Sequence, residues 1–132
     1  MALQIPPNCD LTLGLTCVDK STPGTSTWTM RVDERFLNPA GVVQGGFLAA
    51  MADSAMGACA VTAARQGKMT VANTVMKVSM VRPARLGAQL TCTATVLKAG
   101  RAITFVQANI VDDQERLIAT ASSTYLTRER TE

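Results

Sequence analysis

Residues 38–57 read NPAGVVQGGFLAAMADSAMG. A turn-forming stretch ends in two adjacent glycines, Gly45 and Gly46. It then runs into alanine, leucine and methionine, which are strong helix formers. The pattern predicts a long helix from about Gly45 to Arg65, with Gly67 placed to cap its C-terminus. Most of its side chains are small, so other backbone can approach it closely, and the segment reads as a core helix. Asp53 interrupts it. An unpaired polar group buried among Ala and Met costs about 2–7 kcal/mol, and Ser or Ala would serve packing better. Most helical aspartates are satisfied by nearby backbone or hydroxyl groups, yet a costly carboxylate in an apolar element is also a functional candidate.

On either side of this helix the chain reads as strands. Upstream, LTLGLTCVD (11–19) alternates loosely and predicts a strand, and KSTPG supplies a turn. STWTMRV then puts Trp28, Met30 and Val32 on one face of a second strand. Downstream, MTVANTVMKVSMVRPAR predicts a long strand ended by Pro83. GAQLTCTATVLKAG sets Leu90, Cys92, Ala94 and Val96 against Gln89, Thr91, Thr93 and Thr95. RAITFVQANIVDD and ERLIATASSTYLTRE keep that habit, with turns at ARLG, KAGR and DDQE, as in an antiparallel meander. The expected order is a hairpin, one long helix and four strands. One helix cannot cover both faces of a sheet, so the sheet should wrap around it. Its outer face, rich in Thr, Ala and Val, invites a second copy. The expectation is an α+β fold, a single domain over 1–132, at least dimeric.

The 132 residues suffice for one domain with a core. Apolar residues make up 47% and charged residues 17%, as in a soluble globular chain. The net charge of +3 comes from scattered basic residues, which argues against nucleic-acid and membrane partners. Residues 45–64 resemble a membrane span in apolar content but carry Asp53 and few large apolar side chains, so a buried helix is expected. MALQIPPNCD has neither a basic start nor a long apolar core, so no signal peptide and a cytoplasmic location are expected. Cys9, Cys17, Cys59 and Cys92 lack CxxC spacing and read as reduced, mostly core residues. The chain contains no histidine. That removes Ser-His-Asp and Cys-His nucleophile systems, the common zinc sites and any imidazole base. Carboxylates, amides, hydroxyls and backbone dipoles remain, and neither a metal nor a cofactor is expected.

Three stretches together resemble the hotdog-fold acyl-CoA thioesterases of the PaaI type, the phenylacetic-acid-degradation family. LGLTCVD…GTSTWTMRV is similar to that family's opening hairpin. NPAGVVQGGFLAAMADSAMG is similar to its pattern N-x-x-G-x-x-H-G-G followed by a helix bearing L-x-D-x-A. MKVSMVRPARLGAQLTCTATVLKAGRAITFVQANIVDDQERLIATA is similar to its strand–RP–G–strand–KxGR–strand–D–strand tail. The resemblance covers nearly the whole chain. It implies an antiparallel sheet wrapped around one helix, an acyl-CoA substrate, and a site at a dimer interface within a homodimer or homotetramer. The chain departs from the pattern at one place: Gln44 stands where the family has His.

Four residues become catalytic candidates. Asp53 could attack the thioester carbonyl directly or activate a water. Gly45 and Gly46 lie where free helix N-terminal N–H groups form an oxyanion hole, and the resemblance makes Gly45 the donor. Glycines there also serve plain turns and close packing. Asn38 reads equally as an Asx-turn residue and, by resemblance, as a group orienting the nucleophile. Gln44 can donate a hydrogen bond but cannot titrate. As substrate-binding candidates, Gly46 gives room for close approach, Asn73 occupies a position facing the site in relatives, and Arg82 and Arg85 could meet CoA phosphates. Lys98 and Arg101 flank a similar turn, where most charges only solvate strand ends. Met51, Met56, Met76 and Met80 read as core, with some lining an acyl pocket. Gly45 and Asp53 are eight residues apart, about 12 Å along a helix. One carbonyl therefore meets both only if a two-fold partner brings Asp53 of one copy to Gly45 of the other.

The leading expectation is an acyl-CoA thioesterase. The alternative is a hotdog module that binds acyl-CoA without cleaving it. A dehydratase or hydratase ranks below both, because such sites pair a carboxylate with His. The acyl group stays open among aryl, hydroxyaryl and medium fatty chains.

Overall fold

Alternation at period two builds the sheet. The computed structural model describes residues 5–64 and 69–129. Its strands are β1 (Thr16–Asp19), β2 (Thr25–Arg31), β3 (Met69–Met80), β4 (Gln89–Ala99), β5 (Ile103–Val111) and β6 (Leu117–Glu129). They form one six-stranded sheet in the order β1-β2-β4-β5-β6-β3, every neighbouring pair antiparallel. Register keeps the apolar residues in phase across it. Trp28 pairs with Cys92, Met30 with Leu90, Cys92 with Ile110, and Ala108 with both Ala94 and Ala121. All of these are buried and face one helix.

That helix is α2 (Gly45–Ala63), beginning where the sequence predicts; Gly67 lies outside the described residues. Leu48, Met51, Ala52, Ala55, Met56, Cys59 and Ala60 recur at helical spacing and are buried. They pack against β2, β3, β4, β5 and β6. Small residues at 52, 55 and 60 let the sheet close around the helix, and full burial of a side chain such as Met51 contributes roughly 1.5–3 kcal/mol. The Ser26 hydroxyl donates to the Ala55 carbonyl at 2.8 Å and accepts from Trp28 Nε1 at 2.9 Å, pinning the helix to β2. By length and apolar content alone α2 would pass as a membrane span; here it is the core around which the sheet wraps, as the hotdog resemblance implied.

One element differs from expectation. Residues 11–13 belong not to a strand but to a short helix, α1 (Asn8–Leu13). Gly14 ends it at φ 64°, a left-handed conformation that glycine adopts without penalty. The apparent alternation of Leu11 and Leu13 misleads because Leu11 is 56% exposed while Leu13 is buried. The hairpin follows as β1 and β2, with Val32 buried just beyond it.

Candidate active site

The entry to α2 is shaped by Asn38. Its Oδ1 accepts the N–H groups of Ala40 (3.0 Å) and Val42 (3.3 Å), and its own N–H donates to the Val42 carbonyl (2.8 Å). Asn38 therefore holds the Asx turn, and among the described residues it makes no hydrogen bond to Gly45 or Asp53. The Gln44 N–H donates to Phe36 O at 2.8 Å, and the Phe36 and Phe47 rings pack at 4.9 Å between centroids, fixing where the helix starts. Gln44 is the N-cap residue, in extended conformation; its side chain is exposed and makes no capping bond.

Past Gln44 the helix offers donors. Phe47 N–H is taken by Gln44 O at 3.0 Å, but the N–H groups of Gly45 and Gly46 have no acceptor among the described residues. Free N–H groups at the positive end of a helix dipole suit a developing negative charge. A Cβ on Gly46 would meet nothing within 4 Å, whereas one on Gly45 would sit 2.7 Å from Met80 Cε. Gly45 thus lies against the C-terminal end of β3.

Asp53 lies two turns further on, at the other end of that strand. Its Oδ1 accepts the Tyr125 hydroxyl at 2.6 Å and Asn73 Nδ2 at 2.9 Å. Its Oδ2 has no partner among the described residues. Asn73 and Tyr125 are register partners on β3 and β6, so the two donors reach the carboxylate side by side. Asn73 Nδ2 also meets Ser123 Oγ at 3.2 Å. This places the Asn73 nitrogen, not its oxygen, toward the carboxylate, since the reverse would oppose two acceptors. Asn73 Oδ1 is buried with no partner. A β-bulge between Asn73 and Val75 shifts the strand's phase there, a device common beside active sites.

Burial, reinforced by the hydrogen bond to Asp53 and its charge, pushes the Tyr125 phenol well above its ordinary value, so it stays a donor. Burial raises the Cys59 and Cys92 thiols, Cys92 to about 12, which disfavours the reactive thiolate at both. Met51 and Met56 are fully buried, Met76 packs at the core margin, and Met80 is 52% exposed.

Not every sequence candidate joins the centre. Gly45 and Asp53 are separated within one chain by about 12 Å of helix. Arg82 is exposed and donates to the Leu117 carbonyl at 3.1 Å. The Arg85 side chain is also exposed, and its backbone bridges to Val42 beside the helix entry. Tyr125 was not among the sequence candidates. Its signal was present: the chain's single tyrosine, in phase with Ala119, Ala121 and Ser123 on an inward face, where a buried phenol needs a partner.

A cleft of about 410 Å³ adjoins Asp53, Asn73 and Tyr125. It runs along α2 past Gly57, Ala58 and Val61, and Asp10, Lys20 and Trp28 close its other side. Its size suits a small molecule.

Comparison with known proteins agrees with this fold. The model of the Thioesterase superfamily matches residues 40–119. The human acyl-coenzyme A thioesterase 13 is 28% identical over 105 residues, covering 80% of this chain and 74% of that protein. The PaaI protein of the E. coli phenylacetic acid degradation operon superposes with a TM-score of 0.88 at 23% identity, covering 96% of this chain and 88% of its own. The Haemophilus influenzae thioesterase HI1161 superposes with a TM-score of 0.84 at 25% identity, covering 93% and 84%.

Proposed function

The chain belongs to the thioesterase superfamily, and we propose that it hydrolyses the thioester bond of an acyl-CoA at a site shared by two copies of itself. The observation that carries the reading is the Asp53 carboxylate, held through Oδ1 by Tyr125 and Asn73 while Oδ2 has no partner among the described residues. The name of the human relative supports acyl-CoA as the substrate class.

Asp53 Oδ2, unpartnered among the described residues, can take a proton from a water, and Asp53 serves as general base in this reading. Asp53 takes one proton as the water oxygen bonds to the thioester carbon. The carbonyl oxygen becomes an oxyanion facing the Gly45 N–H. Collapse breaks the carbon–sulfur bond, the thiolate leaves and takes up a proton, and the products are a carboxylic acid and CoA thiol.

The oxyanion donor comes from the partner. Among the described strands the sheet has two edges, β1 of four residues and β3 of twelve. A long unpaired edge templates pairing with another chain, and Val75 on β3 is 66% exposed. Antiparallel pairing of two β3 strands about a two-fold at Lys77, with Thr74 taken up by the bulge, sets Met80 of one copy opposite Asn73 of the other. Gly45 lies against Met80, and Asp53 is bonded to Asn73. The same two-fold therefore carries the partner's Gly45 toward Asp53, with both helices on one side of the joined sheet. Arg82 and Arg85, at the strand end beside Gly45, then lie where CoA phosphates leave the site.

The test is thiol release from a panel of acyl- and aryl-CoAs. Hydrolysis abolished by Asp53→Ala supports the reading. Binding of the esters without thiol release would instead identify a non-hydrolytic acyl-CoA module.

A further inference from the structure

Peroxides oxidise a methionine where solvent reaches its thioether. Met30, Met51 and Met56 are buried and Met76 packs at the core margin, whereas Met80 is 52% exposed. Among the methionines whose burial is described, Met80 is therefore the one open to such attack.

Its neighbour gives that exposure a consequence. Met80 ends β3, and its side chain turns toward α2. A Cβ on Gly45 would lie 2.7 Å from Met80 Cε and 3.6 Å from Sδ, so the thioether packs on the bare Cα of Gly45. Gly45 is the first residue of α2. Its N–H, like that of Gly46, has no acceptor among the described residues. A thioether sulfur is only a weak acceptor, so it leaves these donors to the ester. Any long apolar side chain would cover Gly45. Sulfur adds a chemistry that Leu and Ile lack.

We propose that Met80 is an oxidation switch on the Gly45 oxyanion donor: its sulfoxide oxygen accepts the free N–H groups at the start of α2 and excludes the thioester carbonyl. This rests on the thioesterase reading above. The oxidant is a hydroperoxide, such as hydrogen peroxide. A sulfur lone pair takes one peroxide oxygen, and the O–O bond breaks. The proton on the transferred oxygen passes to the departing hydroxide, which leaves as water. Sulfur is oxidised and the peroxide reduced, one electron pair passing between them. The new S–O group is polar, and it is held beside unpartnered donors at the positive end of a helix dipole. Pairing of two β3 edges engages Met80 through its backbone. The side chain stays on the face where the ester must enter, so an oxidant smaller than the ester reaches it.

The experiment treats wild type and Met80→Leu with hydrogen peroxide and then with dithiothreitol, which reverses disulfides and sulfenic acids at exposed thiols such as Cys9. Peptide mass spectrometry locates the sulfoxide, thiol release gives the rate, and amide exchange by NMR reads the Gly45 and Gly46 N–H groups. Wild type should lose activity in proportion to sulfoxide at Met80, roughly 10- to 100-fold at full conversion, the worth of the hydrogen bonds that the carbonyl must displace. Methionine sulfoxide reductases acting on both epimers should restore it. Exchange at Gly45 or Gly46 should slow several-fold in oxidised wild type alone. Met80→Leu, a volume-conserving change, should keep its own untreated rate within about twofold. If Met80→Leu does not fold, reversal by the reductases and the exchange rates of the wild type decide. Sulfoxide formed at Met80 with rate and exchange unchanged, equal losses in both proteins, or a Met80 that stays reduced while free methionine is oxidised overturns the switch. If no ester is hydrolysed before treatment, slowed exchange on oxidation supports the sulfoxide contact while the hydrolase reading falls.

Discussion

Tyr125 and Asp53, 72 residues apart in sequence, meet at 2.6 Å, hydroxyl to carboxylate. The contact engages one carboxylate oxygen, together with Asn73, and leaves the other without a partner among the described residues. In the proposed mechanism Tyr125 is therefore a positioning residue for the base. Tyr125→Phe should lower kcat roughly 10- to 100-fold, the worth of a hydrogen bond to a charged group, with KM changed less than about twofold. Steady-state kinetics on one well-turned-over ester check this; a rise in KM at unchanged kcat would reassign the hydroxyl to substrate binding.

The same phenol gives stability a pH dependence. Its folded-state value is raised above the unfolded value, chiefly by burial and then by Asp53. The native state therefore holds the proton longer than the unfolded chain. The contribution is complete below the unfolded phenol value of about 10 and is lost as pH rises beyond it. Cys92, raised to about 12 by burial, acts in the same sense from about pH 9. Urea denaturation between pH 8 and 11 should show a falling midpoint, less steep in Tyr125→Phe.

Activity, unlike stability, should be flat near neutrality. With no histidine in the chain, the kcat/KM profile should lack the imidazole inflection near 6.5. An inflection there would point to an ionisation that the site as described does not contain.

Gly45→Pro separates the oxyanion donor from the fold. Gly45 is the first helical residue, where proline is well tolerated, and its N–H has no partner to lose among the described residues. Gln44 before it has φ −64° and ψ 130°, already the conformation that proline requires of its predecessor. The Met80 side chain, half exposed, can move from the added atoms. The variant should melt within a few degrees of the wild type yet lose about 10²–10³ in kcat, the usual effect of removing one oxyanion donor. Calorimetric melting and thiol release read the two effects separately.

Much of this was legible in the sequence because its cause is local. Period-two alternation in β2, β4, β5 and β6 predicted their buried faces, and a small-residue helix predicted a sheet that wraps. Asp53 stood out because a carboxylate is costly in that company. What escaped notice depends on pairing across the sheet. β3 docks outside β6, and a bulge shifts its phase, so Asn73 meets Tyr125 by a register that neither strand announces. Residues 11–13 imitate a strand by alternating, yet Gly14 in the left-handed region ends a helix there.

The central claim is that one reaction uses Asp53 of one copy and Gly45 of another. It is tested by co-expressing Asp53→Ala and Gly45→Pro chains with different affinity tags, isolating the mixed dimer and measuring thiol release. Each parent homodimer should be inactive. The mixed dimer pairs an intact Gly45 with an intact Asp53 at one of its two sites, so about half the wild-type turnover per dimer should return. A mixed dimer as inactive as its parents, or full turnover by a verified monomer, would contradict the shared site.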